Sequence, residues 1–283
     1  MNITVIILDT ILAKERFMSK WKIRPINTGY VTTAPRQYIY HHSVLPAIPG
    51  IPEGRITMPV FCFLLDNGIQ NILVDTGMAW TERADKYHHA GSYQPEGMAI
   101  CEQLQKIGIN PHVIDAVILT HLHWDHVYYL DRFTHATLYV NEKEYRFAMN
   151  PIPIYYKSYE HPSLGIESQF RSLSFAFTKD EEELFPGIRI LDTPGHSPGH
   201  ISVEVDTAEG TYICCGDSLF MRKNYDPVYS LGYDVTPPGR YSDIIEAWNS
   251  IARQKIRAAG REYLLPTHEP AIEELIKTKP VIG

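Results

Sequence analysis

No apolar run in this 283-residue chain approaches the length needed to span a bilayer, and its cysteines form no disulfide framework. There are four, Cys62, Cys101, Cys214 and Cys215, with no C-x-x-C pair. Cys214 and Cys215 are neighbours in a strand-like run, where adjacent side chains face opposite sides, so they are poorly placed to bond each other. Buried free thiols in a reducing compartment are expected. Basic charge is also short. Lys and Arg number 26 against 33 Asp and Glu, giving a formal net charge of -7 and a pI near 6.0. That balance argues against general binding to nucleic acid or to an anionic membrane. The start, Met1 to Asp9, holds a short apolar run with no basic residue before it, and Asp9 cuts it short of a secretory signal. A cytoplasmic location is the expectation. No repeat of twenty to fifty residues stands out.

What remains is the composition of a globular protein, 44% hydrophobic and 21% charged, long enough for one large domain or two small ones. Against that background one stretch is unusual: Thr120-His121-Leu122-His123-Trp124-Asp125-His126. Three imidazoles and a carboxylate fall within six residues, directly after the apolar run Ala116 to Leu119. Chance produces this four-residue pattern on the order of once in a thousand chains of this length. A buried strand here delivers side chains to the edge of a sheet. His121 and His123, two apart, point the same way, while Asp125 and His126 turn to a neighbouring point. Imidazole nitrogen and carboxylate oxygen suit borderline divalent cations, so two adjacent half-sites are expected.

Further donors lie downstream. The strand Gly187 to Leu191 ends at Asp192-Thr193-Pro194-Gly195-His196-Ser197-Pro198-Gly199-His200, where Pro and Gly on both sides hold His196 in a fixed turn. His200 opens the alternating strand Ile201 to Asp206 and fits a supporting role, so His196 is the better ligand candidate. Thr211 to Gly216 is a strand that presents Asp217, a carboxylate able to bridge two cations. Glu262 to Thr267 is another, ending in His268. Two apolar runs around Asp66-Asn67-Gly68 predict a β-hairpin, with Asp75 where its second strand ends. Asp75 is either a turn-forming residue or the acceptor that fixes a ligand histidine's tautomer.

Helices are expected over Glu96 to Ile107, over Glu142 to Met149, and from a Ser242 cap to about Ala258. The last is assigned an inner face of Ile244, Ile245, Trp248, Ile251, Ala252 and Ile256. Residues 1–21 read as a possible N-terminal extension. Residues 150–186, rich in Pro and aromatics, read as a lid-like insertion offering Tyr155 and Tyr156 as a substrate wall. The pairs His41-His42 and His88-His89 have no third partner at useful spacing and are assigned to solvated or pocket-rim loops, and His161 to no metal role.

The pieces His121-x-His123-x-Asp125-His126, Thr193-Pro194-Gly195-His196, Gly216-Asp217 and Thr267-His268 together resemble the metallo-β-lactamase superfamily. The runs Pro59 to Leu65, Ile72 to Met78 and Thr193 to His200 resemble its N-acyl-homoserine lactonase branch. The resemblance implies an α/β fold, a four-layer αββα sandwich, as a single metallo-hydrolase domain over 1–283 with its site at one edge. It implies that His121, His123 and His196 hold one metal and Asp125, His126 and His268 the other, with Asp217 bridging. The two divalent ions would be zinc by default, with iron, manganese or cobalt fitting the same donors. Lactonases of this kind commonly carry a tyrosine three residues after the bridging aspartate, whereas this chain has Phe220 there. If the missing hydroxyl limits turnover, Phe220→Tyr should raise it.

The implied reaction is hydrolytic opening of a lactone by a metal-bound hydroxide, with Asp125 passing a proton to the departing alkoxide and Asp217 the other catalytic carboxylate. Trp124, Phe220, Tyr155 and Tyr156 suit a small-molecule substrate with an apolar portion. A homodimer is the one assembly expected. The rival hydrolases are a thioesterase of the glyoxalase II type and a phosphodiesterase. Those substrates favour basic residues near the site, yet Arg222-Lys223 and Arg240 read better as solvated charges. A rival of another class is a non-catalytic metal-binding or sensor protein.

Overall fold

Alternation along the strands decides the layering. In the computed structural model, which describes residues 20–283, strand β2 (Ile56–Asp66) turns Phe61, Phe63 and Leu65 to one face and Cys62 and Leu64 to the other. The first face meets the second sheet. The other meets helices. Strand β10 (Gly210–Gly216) does the same: Cys214 faces the core between the sheets and Cys215 the helix beyond. The two cysteines therefore point apart, as expected from their adjacency.

The first sheet runs β1-β2-β3-β4-β5-β6, with β1 (Lys22–Thr33), β3 (Asn71–Val74), β4 (Ala116–Ile118), β5 (Thr137–Asn141) and β6 (Ala176–Thr178). The second runs β11-β10-β9-β8-β7, with β7 (Glu183–Phe185), β8 (Ile188–Asp192), β9 (Ile201–Thr207) and β11 (Leu264–Pro266). The predicted hairpin is β2 and β3, antiparallel, closing with Asp66 opposite Asn71. Helices Ile100–Lys106 and Glu142–Met149 cover the outer face of the first sheet, and helix Ile244–Arg257 that of the second. This is the expected αββα sandwich. No helix among the described residues is long and apolar enough to cross a membrane.

Four expectations need correction or fall outside the described residues. Residues 1–19 of the expected extension lie outside them, and Trp21, its last residue, is buried between the sheets. The 150–186 segment is only partly an excursion. Tyr155, Tyr159 and Phe170 are buried in the outer core, and residues 176–185 supply the edge strands β6 and β7. Helix 244–257 is capped by Asp243, not Ser242: the Asp243 carboxylate accepts from the Ile245 and Glu246 amides. Its inner face carries Ala247, Ser250, Ile251 and Gln254, while Ile245 and Ile256 are 69% and 85% exposed. Ser250 and Gln254 are inside because they have hydrogen-bonding work there. Ser250 Oγ donates to Pro194 O (2.6 Å) and Gln254 Nε2 to Ser218 Oγ (2.7 Å), supporting two of the turns that carry the site.

Candidate metal centre

The donor residues all follow the carboxyl ends of strands. His121, His123, Asp125 and His126 come after β4, His196 after β8, Asp217 after β10 and His268 after β11. Two backbone bonds lock the sheets together at this edge: Ile201 N donates to Thr120 O and Phe61 N to Thr267 O, each at 2.9 Å. Gly216, at φ 53°, lets the strand turn into Asp217. A Cβ there would lie 2.6 Å from His200 Nε2 and 2.8 Å from the Thr120 side chain, so only glycine fits.

The seven residues expected as ligands gather in two buried groups, His121, His123 and His196 in one, and Asp125, His126, Asp217 and His268 in the other. His123 Nδ1 and His196 Nε2 are 2.9 Å apart. Asp217 faces both groups. Its Oδ2 is 3.5 Å from His196 Nε2, and its Oδ1 is 3.3 Å from both His126 Nε2 and His268 Nε2. Asp125 closes the second group, with Oδ2 3.6 Å from His268 Nε2 and Oδ1 3.9 Å from His126 Nε2. Donors about 2.0–2.1 Å from a tetrahedral ion stand ~3.3 Å from one another, so these spacings suit a cation at each group. The bonding census agrees. His121 Nε2, His126 Nε2 and Asp217 Oδ1 are buried without a hydrogen-bond partner, a costly state that a cation would relieve. The donor set fits two divalent metal ions.

At His121, His126 and His268 the second ring nitrogen is committed, which fixes the tautomer. Asp75, at φ 61° where the chain leaves β3, settles its two readings in favour of the acceptor. Its Oδ2 takes the His126 Nδ1 proton at 2.8 Å and the Thr120 hydroxyl at 2.8 Å, and its Oδ1 takes Thr120 N. Having donated to Asp75, the Thr120 hydroxyl accepts from His121 Nδ1 at 3.1 Å, leaving His121 Nε2 bare toward the site. His268 Nδ1 donates to Pro59 O at 2.9 Å. His200 Nε2 accepts from Asp217 N at 3.0 Å, and its Nδ1 donates to Thr193 Oγ1. His200 thus positions Asp217 rather than joining the donors.

Burial pushes the pKa values of His121 and His123 well below the ordinary imidazole range and that of His196 down to about 4. These rings are neutral and ready to donate lone pairs. Burial also opposes charge on His126 and His268, but Asp217, aided by Asp75 at His126 and by Asp125 at His268, outweighs it and raises both. Burial raises the Asp125 carboxyl, and Asp217 adds to the rise.

A narrow cavity of about 50 Å³ opens onto the two groups, and Trp124 and Phe220 form part of its wall. Phe220 lies with its ring 5.2 Å from that of His196 and 6.0 Å from that of His268. Tyr155 and Tyr156 do not line it. Tyr155 packs in the outer core with its hydroxyl on Tyr241 O, and Tyr156 stacks on His161. The pair His88-His89 divides: His89 is at the cavity, whereas His88 is buried, stacked 4.1 Å from Trp124 with its Nε2 on Glu160. Arg240 also lines the cavity, against its reading as a solvated charge. Arg222 does not. Its guanidinium donates to Leu264 O and Glu262 O.

Two carboxylates escaped sequence reasoning. Glu144, fully buried, accepts from Leu122 N (3.1 Å), Tyr159 Oη (2.8 Å), Ser197 Oγ (2.6 Å) and Gly199 N (3.2 Å), tying the His121–His123 turn to the His196 turn. Glu160, at φ 45°, accepts from His88, from both arms of Arg83 and from the Tyr128 hydroxyl behind Trp124. Neither carries a local sequence signal.

The fold and the donor set define a metallo-hydrolase scaffold, and comparison gives the family. The model of the metallo-beta-lactamase superfamily matches residues 55–268, and the chain belongs to that superfamily. It is 29% identical over 215 residues to N-acyl homoserine lactonase AiiA of Bacillus thuringiensis subsp. kurstaki, covering 72% of this chain and 81% of that one. It is 29% identical over 242 residues to N-acyl homoserine lactonase AttM of Azorhizobium caulinodans, covering 79% and 86%. Among solved structures, a variant of B. thuringiensis AiiA with N-decanoyl-L-homoserine bound at its active site superposes with a TM-score of 0.72 at 25% identity. That match covers 93% of this chain and 99% of the other.

Proposed function

We propose that the protein is a dinuclear metal-dependent hydrolase that opens lactones of the N-acyl-homoserine type. The observation that carries this is Asp217, with one oxygen toward each of two buried donor groups, in a chain whose relatives are lactonases by name. His121, His123 and His196 would hold one ion, Asp125, His126 and His268 the other, and Asp217 both. His/Asp donors make zinc the default, although iron, manganese and cobalt take the same set. When bound, two such cations make hydroxide available near neutral pH and draw electron density from an ester carbonyl.

The chain's own residues do the rest. Trp124 and Phe220 exclude water on the apolar side and leave the ester end facing the carboxylates. As the new C–O bond forms at the acyl carbon and the ring C–O bond breaks, the leaving oxygen needs a proton. Asp125 is the group to supply it. It borders the cavity, and burial lifts its carboxyl above the ordinary range. The product is a hydroxy acid, its acyl carbon now a carboxylate.

The test is a panel on zinc-loaded protein: N-hexanoyl homoserine lactone, a glutathione thioester and a phosphodiester. Preference for the lactone by at least about 100-fold in kcat/KM, a difference of ~2.7 kcal/mol in transition-state binding, supports the reading. Faster turnover of the thioester or phosphodiester replaces it with the rival hydrolase. Two bound metals with no turnover on any of the three favours a non-catalytic metal-binding protein.

A further inference from the structure

The wall of the cavity holds one arginine, and nothing in the family resemblance accounts for it. Arg240 borders the same small space as His123, His196 and Asp217. Its backbone is pinned. Gly239 N and Arg240 N both donate to Tyr38 O at 3.0 Å, and Ser242 N and Oγ both donate to Gly195 O, next to His196. Gly239 is pressed so closely onto this loop that a Cβ would lie 2.6 Å from Gln37 O. The guanidinium sits over the ring of Tyr155, 4.7 Å from its centroid, and Tyr155 is itself anchored through its hydroxyl to Tyr241 O. Tyr155 is therefore the shelf on which the arginine rests.

Its hydrogen bonding is incomplete. Of the five N–H groups of a guanidinium, one finds an acceptor among the described residues, Ser158 Oγ at 3.3 Å. No carboxylate pairs with Arg240 among the described residues, in contrast to Arg83, which is paired with Glu160, and Arg257, with Glu204. A planar, permanently charged fork with unused donors is suited to an oxygen pair carrying negative charge.

Ester hydrolysis generates such a pair. Charge develops on the acyl oxygen in the transition state, and the product is a carboxylate. In this chain the position expected to hold a hydroxyl for that oxygen is Phe220, whose ring offers no donor. We propose that Arg240 is the substrate-binding residue that takes over this task, donating to the acyl oxygen as it becomes an oxyanion and to the carboxylate of the product. The proposal rests on the lactone reading for the identity of the oxygen, and on the geometry of the cavity for the rest.

The experiment uses zinc-loaded wild type, Arg240→Met, Phe220→Tyr and the double variant, each first checked for two metals per chain and for an unchanged Tm. Kinetics with N-hexanoyl homoserine lactone are expected to show kcat reduced about 10²–10³-fold in Arg240→Met, as for loss of one oxyanion donor, with KM within a few-fold. The factor by which Phe220→Tyr changes kcat should be at least tenfold more favourable in the Arg240→Met background than in wild type, because the tyrosine restores the lost donor. Calorimetry with octanoate, a carboxylate probe, should show binding at least tenfold weaker in Arg240→Met. The proposal is overturned if Arg240→Met keeps kcat within threefold, if only KM changes, or if Phe220→Tyr restores nothing. Where wild type opens no lactone, the lactone reading falls by itself, and octanoate alone decides: equal affinity in wild type and Arg240→Met sinks the assignment. Should Arg240→Met lose metal or unfold, Arg240→Lys keeps the charge but loses the fork, and the same comparisons apply.

Discussion

Glu144 gives the sharpest test of how the centre is held. Each of its oxygens receives one backbone N–H, from Leu122 or from Gly199, and one hydroxyl, from Tyr159 or from Ser197. Leu122 lies between His121 and His123, and Ser197 and Gly199 flank His196 on its carboxyl side, so the carboxylate clamps both turns that supply the three-imidazole group. In Glu144→Ala the two buried backbone N–H groups lose their acceptor at about 1–3 kcal/mol each. That is ~2–6 kcal/mol before the hydroxyls are counted, a large share of the 5–15 kcal/mol that holds a typical domain together. Glu144→Gln is gentler and more informative. Whichever way its amide is turned, the NH₂ faces one backbone N–H that can only donate, while the adjacent hydroxyl can rotate to accept. One charge-assisted bond is lost and one donor opposed, about 3 kcal/mol in all. The consequence for metal is selective. Loss of an outer hydrogen-bonding partner costs about 10–100-fold in affinity, and here it falls on the His121, His123 and His196 group. A stepwise zinc titration against a chelator of known affinity reads both sites in one experiment. Equal weakening of the two sites, or a lower Tm with both affinities unchanged, would refute the clamp.

Asp75→Asn should weaken the other group. Asparagine tolerates the left-handed backbone at this position, but it no longer draws the proton of His126 Nδ1, so zinc affinity at the Asp125, His126 and His268 group should fall roughly 10–100-fold in the same titration; unchanged affinity would mean that Asp75 acts only on the turn. Metal uptake should also release protons. Burial disfavours charge on His126 and His268, yet Asp217 raises both, so the metal-free fold favours their protonated forms. That stabilisation is complete below the unfolded pKa of about 6.5 and is lost as pH rises through the folded values. The Tm of metal-free protein should therefore fall on the alkaline side while that of zinc-loaded protein holds, and the calorimetric heat of zinc binding should vary with the ionisation enthalpy of the buffer. A buffer-independent heat would contradict this. Glu160 sets the acid limit. Burial alone would raise its carboxyl, but donors from His88, Arg83 and Tyr128 hold it at about 2. A depressed carboxyl contributes stability above its unfolded pKa of about 4.3 and loses it as pH falls toward 2, worth ~3 kcal/mol. Glu160→Gln should be less stable at neutral pH and flatter across that acid window in a urea-melt series; parallel curves would count against the assignment.

The residues legible in sequence are those whose chemistry is rare. His121-x-His123-x-Asp125-His126 stands out because imidazoles seldom cluster, and His196 because Pro194 and Gly195 fix its turn. The strands were legible for a related reason: β-branched runs such as Ala116 to Leu119 and Ile201 to Val205 end where donors begin, which places the site at one edge of the sandwich. Helix 244–257 shows where periodicity fails. Ile251 keeps the inner face, but Ile245 and Ile256 yield it to Ser250 and Gln254 because the turns at Pro194 and Ser218 need donors. Aromatic count misled in the same way. Tyr155 and Tyr156 announce apolar surface without saying which way it faces, and Tyr155 faces the outer core.

What the sequence hides is the layer of residues that act through the donors. Glu144 lies in Glu142-Lys143-Glu144-Tyr145-Arg146, a string that reads as a solvated first turn. It becomes a clamp only because Gly199 packs on it so tightly that a Cβ would lie 2.1 Å from Glu144 N. His88 is half of a plain His-His pair until the fold stacks it on Trp124 and hands its Nε2 to Glu160. Arg240 is an unremarkable charge in a Pro-Gly loop until Tyr155 and Ser158 hold it at the cavity. In each case the function depends on a contact between segments more than fifty residues apart, as the separations of 55, 72 and 82 residues in these hydrogen bonds make plain. Local pattern has no access to such pairs. The metals' immediate donors are therefore readable from order and spacing, whereas the residues that tune and select must be read from packing, and the Glu144 and Arg240 variants test that layer directly.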